Sequence, residues 1–489
     1  MHPDPASAFL QTGLPPAASP PRADLPSLRK RGAAWLAWLV IIGVAAFLVV
    51  RQARRREAAD GLAGVVSLQA QGRYLVGAAS FGLPGKMLYD ELRATLDRGS
   101  YSQRLRFAVL AGELVGPAEA LDRLRDLEAE RSAHTIEARP ASVEAAGRLE
   151  TLYRGYEKGG VRPDLPAEQC AWLRSRLGWF GELALAPAGS DPAARQAVLG
   201  PARRTVVAYL SMVALLLLGL AVGGFLLLLF GLLALLGRLR GGLAAGAGFG
   251  GVYAETFALY LAVFVGLSYL ARLLSIPDDW ELAAGGGIML LSLVVLFWPR
   301  LRGASWRQVR ADLGLHLGEQ PLAEVLCGPA AYLAALPLLF AGVGVMFGLM
   351  VLQKRLGHGD PFDPNQAPSH PIVGVALQHN PWVWLQVFLV ACVAAPVVEE
   401  TMFRGVLYRH LREATPHWGR AASILLSVAL SSFVFAAIHP QGLLGVPVLM
   451  ALACAFAVVR EWRGSLLPGV IAHGLNNFLV TLLLLLTAG

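Results

Sequence analysis

Residues 394–412 read AAPVVEETMFRGVLYRHLR. Two adjacent acids, Glu399 and Glu400, close an apolar run that begins near Trp382, and Arg404 stands four residues after Glu400. On a helix that spacing puts Glu400 and Arg404 on one face with the acid N-terminal, the better orientation for an ion pair. Helix geometry turns Glu399 about 100° away from its neighbour. One acid is then tied to Arg404 while the other faces elsewhere without a local partner. Taken alone, the stretch reads equally well as an interfacial turn with surface charges at the end of a span.

The surrounding composition decides that the run belongs in lipid. The 489 residues are 55% hydrophobic with a mean hydropathy of +0.53, and only 16% are charged. A soluble chain carries about a quarter charged residues. Apolar blocks at 33–50, 206–236, 252–274, 284–299, 322–351, 381–403, 421–438, 441–459 and 466–487 make about nine spans. The expected fold class is all-α: a polytopic transmembrane helical bundle with an inserted soluble helical domain. The net charge of +8 comes largely from Arg clusters at 238–240, 300–310, 409–420 and 460–463. Such clusters mark cytoplasmic loops, and none is interleaved with aromatics as in single-strand binders, so no nucleic-acid partner is expected. The expected partners are the lipid bilayer and a membrane-bound protein or peptide, and the expected location is the bacterial cytoplasmic membrane, as a multi-pass protein. The four cysteines lack CxxC spacing and three lie in apolar runs, so they read as small hydrophobes in packed helices.

Composition shifts divide the chain. Residues 1–32 form a Pro-, Ala- and Ser-rich tail expected to be disordered. Residues 33–50 read as an uncleaved anchor, residues 51–204 as a charged soluble domain with helical periodicity, and residues 205–304 as additional spans. Residues 305–489 form a final apolar core. The Arg-rich loops alternate with acidic or weakly charged ones, which favours the outer side for 51–204, although RKR and RQARRRE flank the anchor almost evenly. Glu255 and Glu324 lie near span starts, where an interfacial or snorkelling position is expected. His358, His370 and His379 fall in a Pro- and Asp-containing loop and read as solvated.

Two further polar clusters interrupt the last spans. His439 ends the run SSFVFAAIHPQG, just before Pro440 and Gly442. Broken backbone at membrane depth is tolerated where it lines protein or a water-filled cavity. In GVIAHGLNNFLV, His473 and Asn477 stand four apart on one helical face. An apolar helix gains nothing by burying an imidazole and an amide unless they hydrogen-bond or bind something. Together, an acid, two imidazoles and an amide can activate a water and polarise a carbonyl, the acid as general base and an amide N–H toward an oxyanion. The same acid and imidazoles can hold a divalent metal such as zinc. None of the ten histidines is followed by Glu, so the HExxH helix of soluble zinc proteases is absent.

EETMFR at 399–404, the Phe435–His439 spacing and the His473–Asn477 spacing resemble the EExxxR, FxxxH and HxxxN motifs of the CPBP family. These CAAX-protease and bacteriocin-processing proteins, also called the Abi family, are intramembrane proteases related to Rce1-type prenyl-protein endopeptidases. WRQVRADLGLHLG at 306–318 is similar to the segment that precedes the family's core. The resemblance implies an intramembrane endopeptidase acting on a membrane-associated substrate, in CAAX-type or in leader or signal processing. It implies Glu399 as catalytic base, completed by His439, His473 and Asn477 and supported by Glu400 and Arg404. If a metal is used, its ligands are Glu399, His439 and His473. The alternative is a non-enzymatic membrane scaffold or immunity-type protein in which the polar cluster only holds helices together.

Overall fold

The computed structural model describes residues 31–56, 62–161, 163–239, 241–243, 250–357 and 380–488. Among these every regular element is helical, and eight helices are long and apolar enough to cross a membrane. The expectations for the tail and for His358, His370 and His379 fall outside the described residues, apart from the last two positions of the tail. The chain divides into two compact units, one spanning Arg56–Leu215 and the other built from the first helix and most of the chain after Leu216.

The first helix, α1 (Arg31–Arg56), carries the anchor. The Arg56–Leu215 unit then holds α2 (Leu62–Ser80), α3 (Gly85–Leu96), α4 (Tyr101–Leu114), α5 (Pro117–Ser132), α6 (Pro140–Glu157), α7 (Ala167–Leu177) and α8 (Trp179–Leu185). Its helix starts follow local rules. Pro117 and Pro140 stand in first turns, where no N–H is missed, and the backbone N–H of Ser100 donates to Gln103 at 2.7 Å. The core is apolar, with Leu105, Phe107, Leu149, Leu173 and Phe180 buried. Gly112 lets α6 cross closely, since a Cβ there would meet the Tyr153 ring at 2.6 Å.

The last helix to leave this unit, α9 (Pro192–Leu235), is 44 residues long. The remaining spans are α10 (Val252–Ala271), α11 (Asp278–Leu301), α13 (Pro321–Arg355), α14 (Pro381–Ala414), α15 (Arg420–Ala437) and α16 (Leu443–Arg463), with the short amphipathic α12 (Trp306–Leu313) between α11 and α13. The final helix, α17 (Leu467–Ala488), has 22 residues.

The apolar run expected to stop at 403 continues to Ala414. Glu399 therefore stands near the middle of a 34-residue helix. The physical reason is the pairing of the next three arginines. Arg404, Arg409 and Arg412 are buried and paired, so the charged half of α14 stays inside protein. The continuation also brings the polar groups to one depth. From Arg420, α15 runs back along α14 and ends two residues before His439. The turn into α17 is buried, because the Leu466 N–H donates to the Gly314 carbonyl at 3.0 Å and Ser465 Oγ to that of His316 at 2.7 Å. Leu466 packs where Gly405 lacks a side chain. His473 thus begins well inside the bundle.

Two acids expected at the interface are buried instead. Glu324 is 3% exposed and bonds Arg463 at 2.6 Å, while Glu255 accepts from Trp298 Nε1 at 2.8 Å and pairs with Arg302 at 3.2 Å. Buried carboxylates persist only with such partners. The described part of the Gly-rich 241–251 segment serves close packing, with the Gly242 N–H capping the carbonyls of Glu461 and Trp462.

Candidate active site

The site forms where α14 departs from ordinary helical winding. Val390–Ala394 and Glu400–Leu407 are π-helical, with α-helical Ala395–Glu399 between them. π turns inside α-helices often mark functional positions, because the wider register leaves carbonyls without their usual i+4 donor. Here the Ala391 carbonyl accepts from Asn477 Nδ2 at 2.8 Å. The two helices come that close because His473 is followed by glycine: a Cβ on Gly474 would stand 2.7 Å from the Cys392 carbonyl oxygen.

The two acids have different surroundings. Glu400 and Arg404 are each 1% exposed and bond at 2.9 Å. The Arg404 guanidinium also lies over the rings of Phe435 and Phe456, 4.5 and 5.6 Å from their centroids, and donates to the Ala453 carbonyl at 3.3 Å. Gly469 leaves room for the carboxylate, since a Cβ there would come within 3.2 Å of Glu400 Oε2. Glu399 keeps 15% exposure and His439 17%. The outer acid therefore keeps some accessible surface, and the inner one has almost none.

Three atoms converge on the more open side. Glu399 Oε2 lies 3.7 Å from His439 Nε2 and 3.7 Å from His473 Nε2. This is too long for a direct hydrogen bond, yet one water can touch both members of each pair. The opposite ring nitrogens are committed. His439 Nδ1 is 2.5 Å from the Phe435 carbonyl, which can only accept. His473 Nδ1 is 2.9 Å from Glu400 Oε1, the oxygen that also binds Arg404. Both rings thus carry their proton on Nδ1 when neutral, and both present an Nε2 lone pair toward Glu399. The ring faces are fixed too: Phe435 lies 4.1 Å from His439 by centroids, and Phe456 stacks on His473 at 5.6 Å.

The structure gathers Glu399, His439 and His473 around one space, and joins Glu400 and Arg404 to it through His473. It places Asn477 on the α14 backbone, with its Oδ1 accepting from Asn476 at 3.1 Å. A carboxylate with two Nε2 lone pairs has the donor chemistry of a catalytic zinc site. No group of three or more His, Cys, Asp or Glu side chains among the described residues is drawn together as a metal-binding cluster, however. Composition and periodicity did not point to Phe456, Gly469 or Gly474. The one available signal was the glycine placed directly after His473 in an otherwise bulky helix.

Toward the Arg-rich ends of the spans lies a second buried network. Asp312 pairs with Arg409 at 3.0 Å and accepts from Tyr253 at 2.9 Å, while Arg409 also pairs with Glu413 at 2.7 Å. Glu461 binds Arg412 at 3.1 Å and Tyr408 at 2.9 Å. Arg460 donates to the carbonyls of Asp312 and Gly464.

No curated protein and no solved structure matches the chain. Residues 381–479 match one family model, described as type II CAAX prenyl endopeptidase Rce1-like. The matched segment runs from the first turn of α14 to the middle of α17 and contains Glu399, Glu400, Arg404, His439, His473 and Asn477. From α14 to the middle of α17, then, this integral membrane protein carries an Rce1-like domain, of a family of CAAX-type intramembrane peptidases.

Proposed function

We propose that the chain is an intramembrane endopeptidase that hydrolyses a peptide bond of a membrane-associated protein, in CAAX-type or in leader or signal processing. The observation that carries this reading is the Glu399 carboxylate, 3.7 Å from the Nε2 atoms of both His439 and His473 and without a direct hydrogen bond to either. Glu399 is the general base: it takes a proton from a water that also donates to an Nε2 lone pair while the oxygen attacks the scissile carbonyl, and it returns that proton to the leaving nitrogen as the C–N bond breaks. Glu400, held by Arg404, keeps His473 in its tautomer. Asn477 anchors α17 to α14 and keeps a second N–H for the carbonyl oxygen as it becomes an oxyanion. A zinc ion held by Glu399, His439 and His473 would supply a Lewis acid and a more acidic water.

The scaffold alternative accounts for Glu400 and Arg404, whose charges are internally matched. It does not account for Glu399, whose nearest partners stand beyond hydrogen-bond reach. The deciding experiment assays purified protein in lipid nanodiscs with a farnesylated fluorogenic CAAX peptide and with a membrane-anchored leader peptide. Glu399→Ala is expected to stay folded and lose cleavage of whichever substrate the wild type accepts. Turnover by that variant at the wild-type rate excludes the mechanism. Metal analysis with a chelator titration on the same sample separates a bound cation from a carboxylate acting alone.

A further inference from the structure

α16 gives the site no acid, imidazole or amide, yet it forms one of its walls. Between Leu443 and Glu461 its one aromatic residue is Phe456, set in the alanine-rich stretch ALACAFA at 451–457. Ala453 and Phe456 are three apart and share a helix face. That face meets the polar relay of α14 and α17. The Ala453 carbonyl accepts from Arg404 at 3.3 Å, and the Phe456 ring is buried with two members of the relay against it. The Arg404 guanidinium lies 5.6 Å from the ring centroid, and the His473 imidazole stacks on the ring at 5.6 Å with the planes 25° apart. Phe435 meets the same imidazole edge on, at 6.1 Å and 80°. The bond from His473 Nδ1 to Glu400 holds one atom of the imidazole. The torsion that turns a histidine ring is soft, so one bond leaves the plane free to swing and carry Nε2 away from Glu399. A flat face on one side and an edge on the other remove that freedom, and an aliphatic side chain offers no such face.

We propose that Phe456 is a positioning residue of the site: its ring sets the plane of the His473 imidazole, so that Nε2 stays directed at Glu399. The proposal rests on Glu399 being the base, and it adds α16 to the working site. The same ring attracts the Arg404 guanidinium, so one side chain steadies both groups that are bonded to Glu400.

Phe456→Leu removes the flat face and keeps a buried apolar group. In nanodiscs, with the farnesylated fluorogenic CAAX peptide, the variant is expected to lose roughly tenfold in kcat at unchanged KM. Phe456→Tyr keeps the ring and is expected to stay within about twofold of wild-type kcat. Leu336→Ala opens the same apolar cluster from α13. It is expected to lower Tm at least as far as Phe456→Leu and to keep kcat, which separates lost orientation from lost packing. Magic-angle-spinning 15N spectra of the imidazole, assigned with His473→Gln, read the orientation without turnover: one tautomer with its proton on Nδ1 in the wild type, a mixture of both in Phe456→Leu. Wild-type kcat with a single tautomer in Phe456→Leu overturns the proposal, and so does an equal loss of kcat in Leu336→Ala. If Glu399→Gln cleaves at the wild-type rate, the reading of the site fails instead, and the tautomer ratio alone then decides whether Phe456 orients His473.

Discussion

Neighbouring carboxylates one residue apart carry opposite burdens. Glu400 has a guanidinium and an imidazole bonded to the same oxygen and almost no exposure, so its charge is a structural commitment. Removing one partner of a buried pair leaves the other uncompensated, at about 3–5 kcal/mol. Arg404→Met is therefore expected to lower the denaturation midpoint in detergent and to take activity down with it. Glu399 has no such bond, and its substitution should leave the midpoint within about 0.5 kcal/mol of wild type. A general base contributes about 100- to 10,000-fold, so Glu399→Gln should lose that much kcat. Equal melting losses in both variants would contradict the division of labour. His439→Ala tests the other wall of the site: it should reduce cleavage while sparing the Glu400–Arg404–His473 chain, which makes no bond to that ring.

At the scale of elements, the site depends on two helices touching at backbone level. Gly474 permits the approach of α17 to the first π turn of α14, and Asn477 secures it. Gly474→Ala puts a methyl group 2.7 Å from the Cys392 carbonyl oxygen, closer than real contacts allow. The helices must part, and the Asn477–Ala391 bond stretches. Overpacking of this kind costs about 1–3 kcal/mol. Activity is expected to fall further than stability, since a displacement near 1 Å at the site costs about 100-fold. A Gly474→Ala enzyme with normal kcat and Tm would show that the approach is not required. This contact also marks a limit of legibility. The Glu400–Arg404 and Phe435–His439 spacings are local and can be read directly from the chain. The π winding cannot, because it depends on which distant group takes the released carbonyl. The true end of α14 is hidden for a similar reason: its arginines look like an interface until Asp312, Glu413 and Glu461 are seen to neutralise them.

For the whole molecule, hydropathy is enough to establish an all-helical membrane protein, because about 20 consecutive apolar residues have few other destinies. The side occupied by residues 56–215 is less legible, since equal basic clusters flank α1 and cancel as topology signals. The later loops break the tie. Arginines follow α9 and α11 and fill the C-terminal ends of α14 and α16, while Trp280 and Trp382 pack at 5.0 Å where α11 and α14 begin. By the positive-inside rule, alternation from those ends gives the expectation that 56–215 lies on the side opposite the arginines. Protease added outside sealed, right-side-out vesicles is expected to degrade that unit and spare the spans. Full protection would reverse the assignment.

The second charge network has a consequence for the membrane that houses it. Arg409, Arg412 and Arg460 interlock with Asp312, Glu413 and Glu461, with the Arg463–Glu324 pair alongside. Side chains paired to one another in this way hold their charges in fixed positions, so the arginine-rich half of α14 and α16 carries matched charge into the protein interior. Neutralising arginines that would otherwise favour the aqueous edge, the network is what allows Glu399 to stand at mid-helix and not at a lipid boundary.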